Sequence, residues 1–456
     1  MMRLSDVARW TGGKLVGTDA EVVRIVTDSR AVEPGDLFVA LAGERFDAHE
    51  FVADVLARGA AGVVVREGAA VAHGAYVEVG DTRLALGRLA AGWADTLSVV
   101  RVGVTGSNGK TTVKEMLAAI LCAHAGNEGV LATAGNLNND IGLPLTLLKL
   151  QPAHRYAVLE MGMNHSGEIR YLSRLARPQV ALVNNAMRAH LGQFSGVEAI
   201  ARAKAEIFEG LPDDGVAIVN ADDPHAGLFR EAAGSHRILT FGLGSGDVTA
   251  RDVVLMEDSS RFLLVTPEGE CDVHLPSPGE HNVRNALAAA AVASGLGVPL
   301  RAVASGLGVF GGAKGRLQRR STQRGVTVID DSYNANPDSM KAGLAVLGRA
   351  MPPRWFVMGD IGELGETAPA LHAEVGVFAR EQHVDVLLAL GTLSAEAVAA
   401  FGEGALHFDS IEALNAHLDA HLPAGATVLV KGSRFMRMER VVDHLLAAEQ
   451  ENKVGV

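Results

Sequence analysis

Three things are scarce in this chain of 456 residues, and each scarcity removes a class of protein. Cysteine is the first: only Cys122 and Cys271 occur, too few for a disulfide framework and too far apart for a metal knuckle. A reducing, cytoplasmic setting is expected. Positive charge is the second, with 41 Lys and Arg against 53 Asp and Glu and a net charge of −12. Proteins that hold nucleic acid neutralise its phosphates with clustered Lys and Arg, so no nucleic-acid partner is expected. Long apolar runs are the third. The uncharged stretch between Arg284 and Arg301 is broken by Ser294, Gly295, Gly297 and Pro299, short of the roughly 18–20 apolar residues of a membrane span. The N-terminal segment, with Arg3, Asp6, Arg9 and Lys14, lacks the apolar core of a signal peptide.

Glycine, in contrast, is plentiful: 52 residues of 456, where about 7% is usual. Such an excess suits many strand-to-helix turns and close approach of backbone to ligands. The remaining composition, 48% hydrophobic and 21% charged, is that of a folded globular protein. At about 100–200 residues per domain, the length leaves room for several, each with its own core.

The pattern along the chain divides into three blocks, 1–82, 83–313 and 314–456. In the first, Val22–Thr27, Leu37–Leu41 and Gly62–Val65 read as strands, and His49–Arg58 as a helix. The helical Arg83–Leu97 leads into the second block, where Val99–Val104, Tyr156–Met161, Val180–Asn184 and Val216–Asn220 read as strands. Ala199–Glu209 and Asn282–Gly295 read as helices, and residues 238–273 as a β-hairpin addition. Gly311-Gly312-Ala313-Lys314-Gly315 has the composition of a hinge. Beyond it, strands are predicted at Val326–Asp330, Trp355–Met358, Val386–Ala389 and Thr427–Val430, with a helix at Pro369–Gln382. The fold class expected is α/β in three domains: a small N-terminal one, a central one of P-loop ATPase type and a Rossmann-like C-terminal one.

The sharpest local signal follows the strand at Val99. Thr105-Gly106-Ser107-Asn108-Gly109-Lys110-Thr111-Thr112 leads directly into a helical pattern. A strand, a glycine-bearing loop and a helix start make a nucleotide site. Loop amides and the helix N-terminus receive phosphate oxygens, Lys110 reaches the terminal phosphates, and the Thr111 hydroxyl offers a ligand to Mg²⁺. The loop is a shorter variant of the usual pattern, since position 104 is valine. Glu160 ends an apolar strand, where α/β sheets place their ligands, and a carboxylate there can hold Mg²⁺.

Further segments accompany the loop: Gly135-Asn136-Leu137-Asn138-Asn139-Asp140, Leu159-Glu160-Met161-Gly162, Asn184-Asn185-Ala186-Met187-Arg188-Ala189-His190 and Ala203-Lys204-Ala205-Glu206. Together with Asp28-Ser29-Arg30 near the start and Val430-Lys431-Gly432-Ser433-Arg434 near the end, this order resembles the Mur ligase family of ATP-dependent amide-bond ligases. The resemblance spans nearly the whole chain. It implies that His190 contributes to a second Mg²⁺ site and that Lys204 is carried as a carbamate, an anion able to bridge metal ions. Without it, Lys204 reads as part of a solvated helix face and His190 as an ordinary loop histidine.

The same resemblance places Asn282 beside adenine, although an asparagine at a helix start is equally a cap. It brings Arg316 to phosphate and Asp331 to ribose. Ser29, Arg30, Asp47 and His49 are implied for a uridine diphosphate. Asn136, Asn138 and Asn139, with Asn334 and Asn336 from Asp331-Ser332-Tyr333-Asn334-Ala335-Asn336-Pro337, are implied for the remaining substrate contacts. Ala48 stands where many relatives have glycine, which puts the local nucleotide contact in question.

The implied reaction joins D-alanyl-D-alanine to UDP-N-acetylmuramoyl-tripeptide at the expense of ATP, in peptidoglycan precursor synthesis, with Lys110, Glu160, His190 and Lys204 as catalytic residues and a monomer as the acting form. Two readings stay open beside it. One is a sibling ligase adding another amino acid, or a folate-polyglutamate ligase, although the Asp-Asn-Pro-Arg motif of the diaminopimelate-adding sibling is absent. The other is a P-loop switch that hydrolyses nucleotide to drive a partner.

Overall fold

A computed structural model describes residues 1–43 and 46–447. The end of the third block, 448–456, lies outside the described residues. Each block is built on one largely parallel sheet, as short apolar runs alternating with helices require. In the first block five strands run in the order Lys14–Val16, Tyr76–Val79, Gly62–Arg66, Asp36–Val39, Arg24–Val26, antiparallel only in the first pair. Successive side chains point to opposite faces. Val63 and Val65 therefore pack on the helix Val52–Ala57, while Val64, Leu37 and Val39 join a core with Leu86 and Leu89 of the helix Thr82–Ala94.

The central sheet has six parallel strands in the order Arg237–Phe241, Val216–Asn220, Val180–Val183, Val100–Thr105, Tyr156–Glu160, Val130–Ala132. The predicted strand positions agree closely. The edge strand Val130–Ala132 escaped prediction because three half-buried residues carry no readable period. Residues 238–273 exceed a hairpin: Arg237–Phe241 joins the main sheet, and Thr249–Leu255, Ser260–Thr266 and Gly269–Leu275 form an antiparallel sheet of their own. The predicted helix Ala199–Glu209 is Val197–Ala205 followed by a 3₁₀ turn, Glu206–Gly210. There the buried Glu206 carboxylate accepts from the Gly167 and Arg170 amides, satisfying the start of the helix Glu168–Ala176.

The third sheet runs Gln318–Ser321, Thr327–Asp331, Thr427–Lys431, Arg354–Gly359, Val386–Leu390, Ala405–Phe408, parallel except for the first pair. The Gly311–Gly315 segment lies between the helix Leu300–Gly308 and the strand Gln318–Ser321. Among the described residues no helix is long and apolar enough to cross a membrane.

The two junctions between the sheets differ. One apolar core runs without a break from Leu4 and Val7 through Leu86 and Leu89 to Leu143, Ile169 and Phe208, so the first two blocks share it. The helix Thr82–Ala94 makes the seam. A Cβ at Gly92 would lie 2.3 Å from the Trp10 ring, and one at Gly87 would lie 2.3 Å from the Tyr171 hydroxyl. The third block keeps separate cores, one around Ile329, Phe356 and Leu429, the other around Val328, Val357 and Val430.

Candidate functional site

The strand Val100–Thr105 ends at the phosphate loop, and the helix Lys110–Ala125 begins directly behind it. Gly109 caps that helix with φ 79°, a left-handed conformation, and a Cβ there would lie 2.3 Å from Asn285 Oδ1. The loop is held from outside by asparagines. The Asn108 amide donates to Asn185 Oδ1 at 2.9 Å, and Asn184 Nδ2 donates to the Asn108 carbonyl at 2.9 Å. Ser107 Oγ receives the Met187 amide at 2.9 Å. Lys110 Nζ donates to the Gly106 carbonyl at 2.7 Å, and burial pulls its pKa below the ordinary value. Thr105 is different: it is buried and donates its hydroxyl to the Met161 carbonyl, a bond that ties two strands together.

Parallel pairing sets Glu160 opposite Val104, so its carboxylate emerges beside the loop. It is buried, with Oε2 accepting from the Thr111 hydroxyl at 2.9 Å and Oε1 from Asn138 Nδ2 at 2.8 Å. No cluster of three or more His, Cys, Asp or Glu suited to a metal occurs among the described residues. The Thr111–Glu160 pair suits Mg²⁺ nonetheless, an ion that takes one or two protein oxygens and completes its shell with phosphates and water.

Lys204 is buried, and its side chain has no hydrogen-bond or ion-pair partner among the described residues. Burial, aided by the nearby Lys110 charge, drives its pKa well below the ordinary value. His190, in a left-handed conformation at φ 59°, reaches across to the third block, where its Nδ1 lies 2.5 Å from Glu363 Oε2. That contact holds the Glu363 carboxyl below its usual range.

Three cavities meet here. The first, about 580 Å³, is walled by Asn282, Asn285, Arg316, Asp331 and Lys431. Burial pushes the adjacent His281 down to about 4, so it faces this cavity as a neutral ring. The second, about 620 Å³, is bounded by Lys110, Asn136, Asn334, Asn336, Ser433 and Phe435. The third, about 630 Å³, contains Lys110, Asn138, Asn139, Glu160, His190 and Lys204. Arg316, stacked 4.4 Å over the Tyr333 ring, borders all three.

Several candidates carry structural duties as well. Asn282 Nδ2 donates to Ser277 Oγ and to the Pro278 carbonyl, both at 2.8 Å. Asn139 Oδ1 accepts the Gly142 amide, and Asn336 caps the helix Pro337–Leu347 while its Nδ2 donates to Asn108 Oδ1 at 2.6 Å. Asn334 Oδ1 accepts the Arg434 amide at 3.2 Å. Asp331 pairs with buried Lys431 at 2.6 Å. Asn184, Asn185, Asn285, Tyr333 and Lys431 were not singled out from sequence. Two of them stand in the Asn184-Asn185 motif, whose repeated amides were the available signal.

The first-block candidates do not join these cavities. Arg30 is 88% exposed and pairs with Asp28 at 2.7 Å, beside Ser29 in a 3₁₀ turn. His49 Nδ1 lies 2.5 Å from Asp47 Oδ1, and His49 Nε2 accepts the Arg66 amide at 3.0 Å. Ala48 has no left-handed φ, so the backbone there accepts alanine without strain.

The same arrangement is met in known proteins. Models of the Mur ligase family catalytic domain, the Mur ligase middle domain and the Mur ligase glutamate ligase domain match residues 21–94, 104–293 and 315–434. The chain is 43% identical over 453 residues to the UDP-N-acetylmuramoyl-tripeptide–D-alanyl-D-alanine ligase of Escherichia coli (strain K12), covering 98% of each. It superimposes on MurF from Acinetobacter baumannii with a TM-score of 0.90 at 42% identity, covering 97% of this chain and 98% of that one. For the MurF ligase of Thermotoga maritima in complex with ADP, the TM-score is 0.83 at 30% identity, covering 94% and 98%. With three consecutive domains matched and near-complete coverage of its relatives, the chain belongs to the Mur ligase family.

Proposed function

We propose that the protein is an ATP- and Mg²⁺-dependent ligase that joins D-alanyl-D-alanine to UDP-N-acetylmuramoyl-tripeptide in the cytoplasm, acting as a monomer. The observation that carries the reading is the meeting of three cavities at Arg316, two of them also bordered by Lys110, as a reaction of two substrates with ATP requires. In this reading residues 1–82 hold the uridine diphosphate through Ser29, Arg30, Asp47 and His49. Residues 83–313 hold ATP, and residues 314–456 close over it and bring the dipeptide.

A carboxylate does not react with an amine at neutral pH, so it must first be activated. The tripeptide carboxylate oxygen attacks the γ-phosphorus, ADP departs, and an acyl phosphate forms. The dipeptide amine then attacks the acyl carbon. The C–N bond forms, the C–O bond to phosphate breaks, the nitrogen releases a proton that the departing phosphate can take up, and inorganic phosphate leaves with the former carboxylate oxygen. Amides at the start of the helix Lys110–Ala125 and the Lys110 side chain bind the phosphates, with Lys110 exchanging its bond to Gly106 for phosphate oxygens. Thr111 and Glu160 would hold one Mg²⁺, and His190 and carbamylated Lys204 a second; such ions would supply charge neutralisation of the transferring phosphoryl group.

Lys204 is suited to carbamylation because only the neutral amine adds CO₂, with release of a proton, and burial favours that neutral form. The resulting anion then answers the nearby Lys110 charge. Asn282, Arg316 and Asp331 line the nucleotide cavity. Asn136, Asn138, Asn139, Asn334 and Asn336 line the two substrate cavities. Docking of the third block shields the acyl phosphate from water.

The test is phosphate release from ATP with tripeptide nucleotide and dipeptide each omitted in turn. Release should require both. Release that ignores the dipeptide would overturn the ligase reading and favour a nucleotide switch.

A further inference from the structure

The loop after the strand Val180–Val183 does two things at once. On its inner side Asn185 and Met187 hold the phosphate loop through Asn108 and Ser107. On its outer side Arg188, the next residue, engages the third block. The Arg188 amide donates to Asp338 Oδ2 at 3.0 Å, and its Nε and Nη2 donate to Asp338 Oδ1 at 3.1 and 2.5 Å. Its Nη1 and Nη2 donate to the two oxygens of Glu374 at 3.0 Å each. Lys341 also contacts Glu374. Two cations thus face two anions, and docking leaves no net charge trapped in the seam. Asp338 belongs to the helix Pro337–Leu347, which Asn336 caps, and Asn336 is itself bonded to Asn108 of the phosphate loop.

We propose that Arg188 is a positioning residue for the ligation. It clasps Asp338 and Glu374 of the C-terminal domain, so that the segment holding the phosphate loop also sets the docked position of the Asn334–Asn336 turn. The planar guanidinium is what permits this, since its fork serves two carboxylates in fixed directions where an ammonium would serve neither bidentately. A bond network of this kind, half-buried between two separately packed bodies, shifts the balance between docked and undocked forms. The proposal rests on the ligase reading for its effect on the dipeptide, but its structural half does not.

Two measurements on the full chain separate these halves. Small-angle scattering with ADP bound reads docking without any amino donor. Arg188→Ala and, from the other side, Glu374→Gln should each give a larger radius of gyration than the wild type. Arg188→Lys should fall between. Added salt should expand the wild type toward the variants and act less on Arg188→Ala, in which His190–Glu363 and Arg319–Glu257 still cross the seam. In steady-state kinetics Arg188→Ala should raise KM for D-alanyl-D-alanine about tenfold, with a smaller fall in kcat at saturation. Unchanged scattering in both single variants, with salt acting on them as on the wild type, would overturn the clasp. Altered scattering with an unchanged dipeptide KM would overturn its role in positioning the dipeptide turn.

Discussion

Two seams join the three blocks, and they are made of different materials. Between the first and second, Trp10, Leu86, Leu89, Leu143 and Tyr171 share one apolar core, and glycines let a helix settle against both sides. Between the second and third, Leu191 packs on a third-block core, but most named contacts are polar: Arg188 with Asp338 and Glu374, His190 with Glu363, and Asn108 with Asn336. An apolar seam loses its whole burial energy when opened, whereas a polar one exchanges its bonds for bonds to water. The first two blocks should therefore behave as one body, and the third should be the easier to undock. Function follows the same division, since the cavities gather at the polar seam.

The largest effects should come from charges at the polar seam, with the fold intact. Lys110→Ala should lower turnover by at least 10²–10³-fold, as loss of a donor to developing charge does. Lys204→Ala should do the same and recover in part with a small added carboxylate; full activity without Lys204 would remove its metal-bridging role. Melting temperatures of both variants should stay close to the wild type, because neither side chain belongs to the apolar seam.

Cutting the apolar seam should do the reverse. Leu86 is completely buried, and Leu86→Ala should cost about 2–5 kcal/mol in stability. Denaturant unfolding followed separately in the first and second blocks should show both lost together. A first block that melts alone while the second stays folded would break the one-body description.

A smaller effect concerns pH. Arg188, and then Lys341, hold the Glu374 carboxyl at about 2 against an ordinary value of 4.5. Because its docked pKa is depressed, its contribution to docking is complete above about pH 4.5 and is lost as pH falls toward 2. Scattering across that range should show undocking in the wild type, and Glu374→Gln should flatten the response.

Much of this was legible in the sequence where the signal is local. The apolar runs at Val100, Tyr156, Val180 and Val216 announce buried parallel strands, and the loop at Gly106–Lys110 announces a phosphate site. Glu160 was visible as a strand-end acid. What escaped prediction depends on partners far along the chain. Arg188 stands in the Asn184–His190 segment that carries the family resemblance, but it meets Asp338 and Glu374 only after folding, so its partners are not readable around residue 188. Lys204 was reached only through the family resemblance, because Lys204-Ala205-Glu206 alone reads as a solvated helix face, and tertiary packing is what buries it. Arg30, Asp47 and His49 show another limit: their motif was readable, and their side chains engage Asp28 and one another. The shared core of the first two blocks was also illegible, since helical period shows which face is apolar but not what covers it.

The most direct test follows the oxygen. With ¹⁸O in the carboxylate of the tripeptide, an acyl phosphate route carries one labelled oxygen into inorganic phosphate for each amide bond formed, and mass spectrometry of the released phosphate should find it there. Phosphate released without label, while product accumulates, would contradict activation of the carboxylate by ATP.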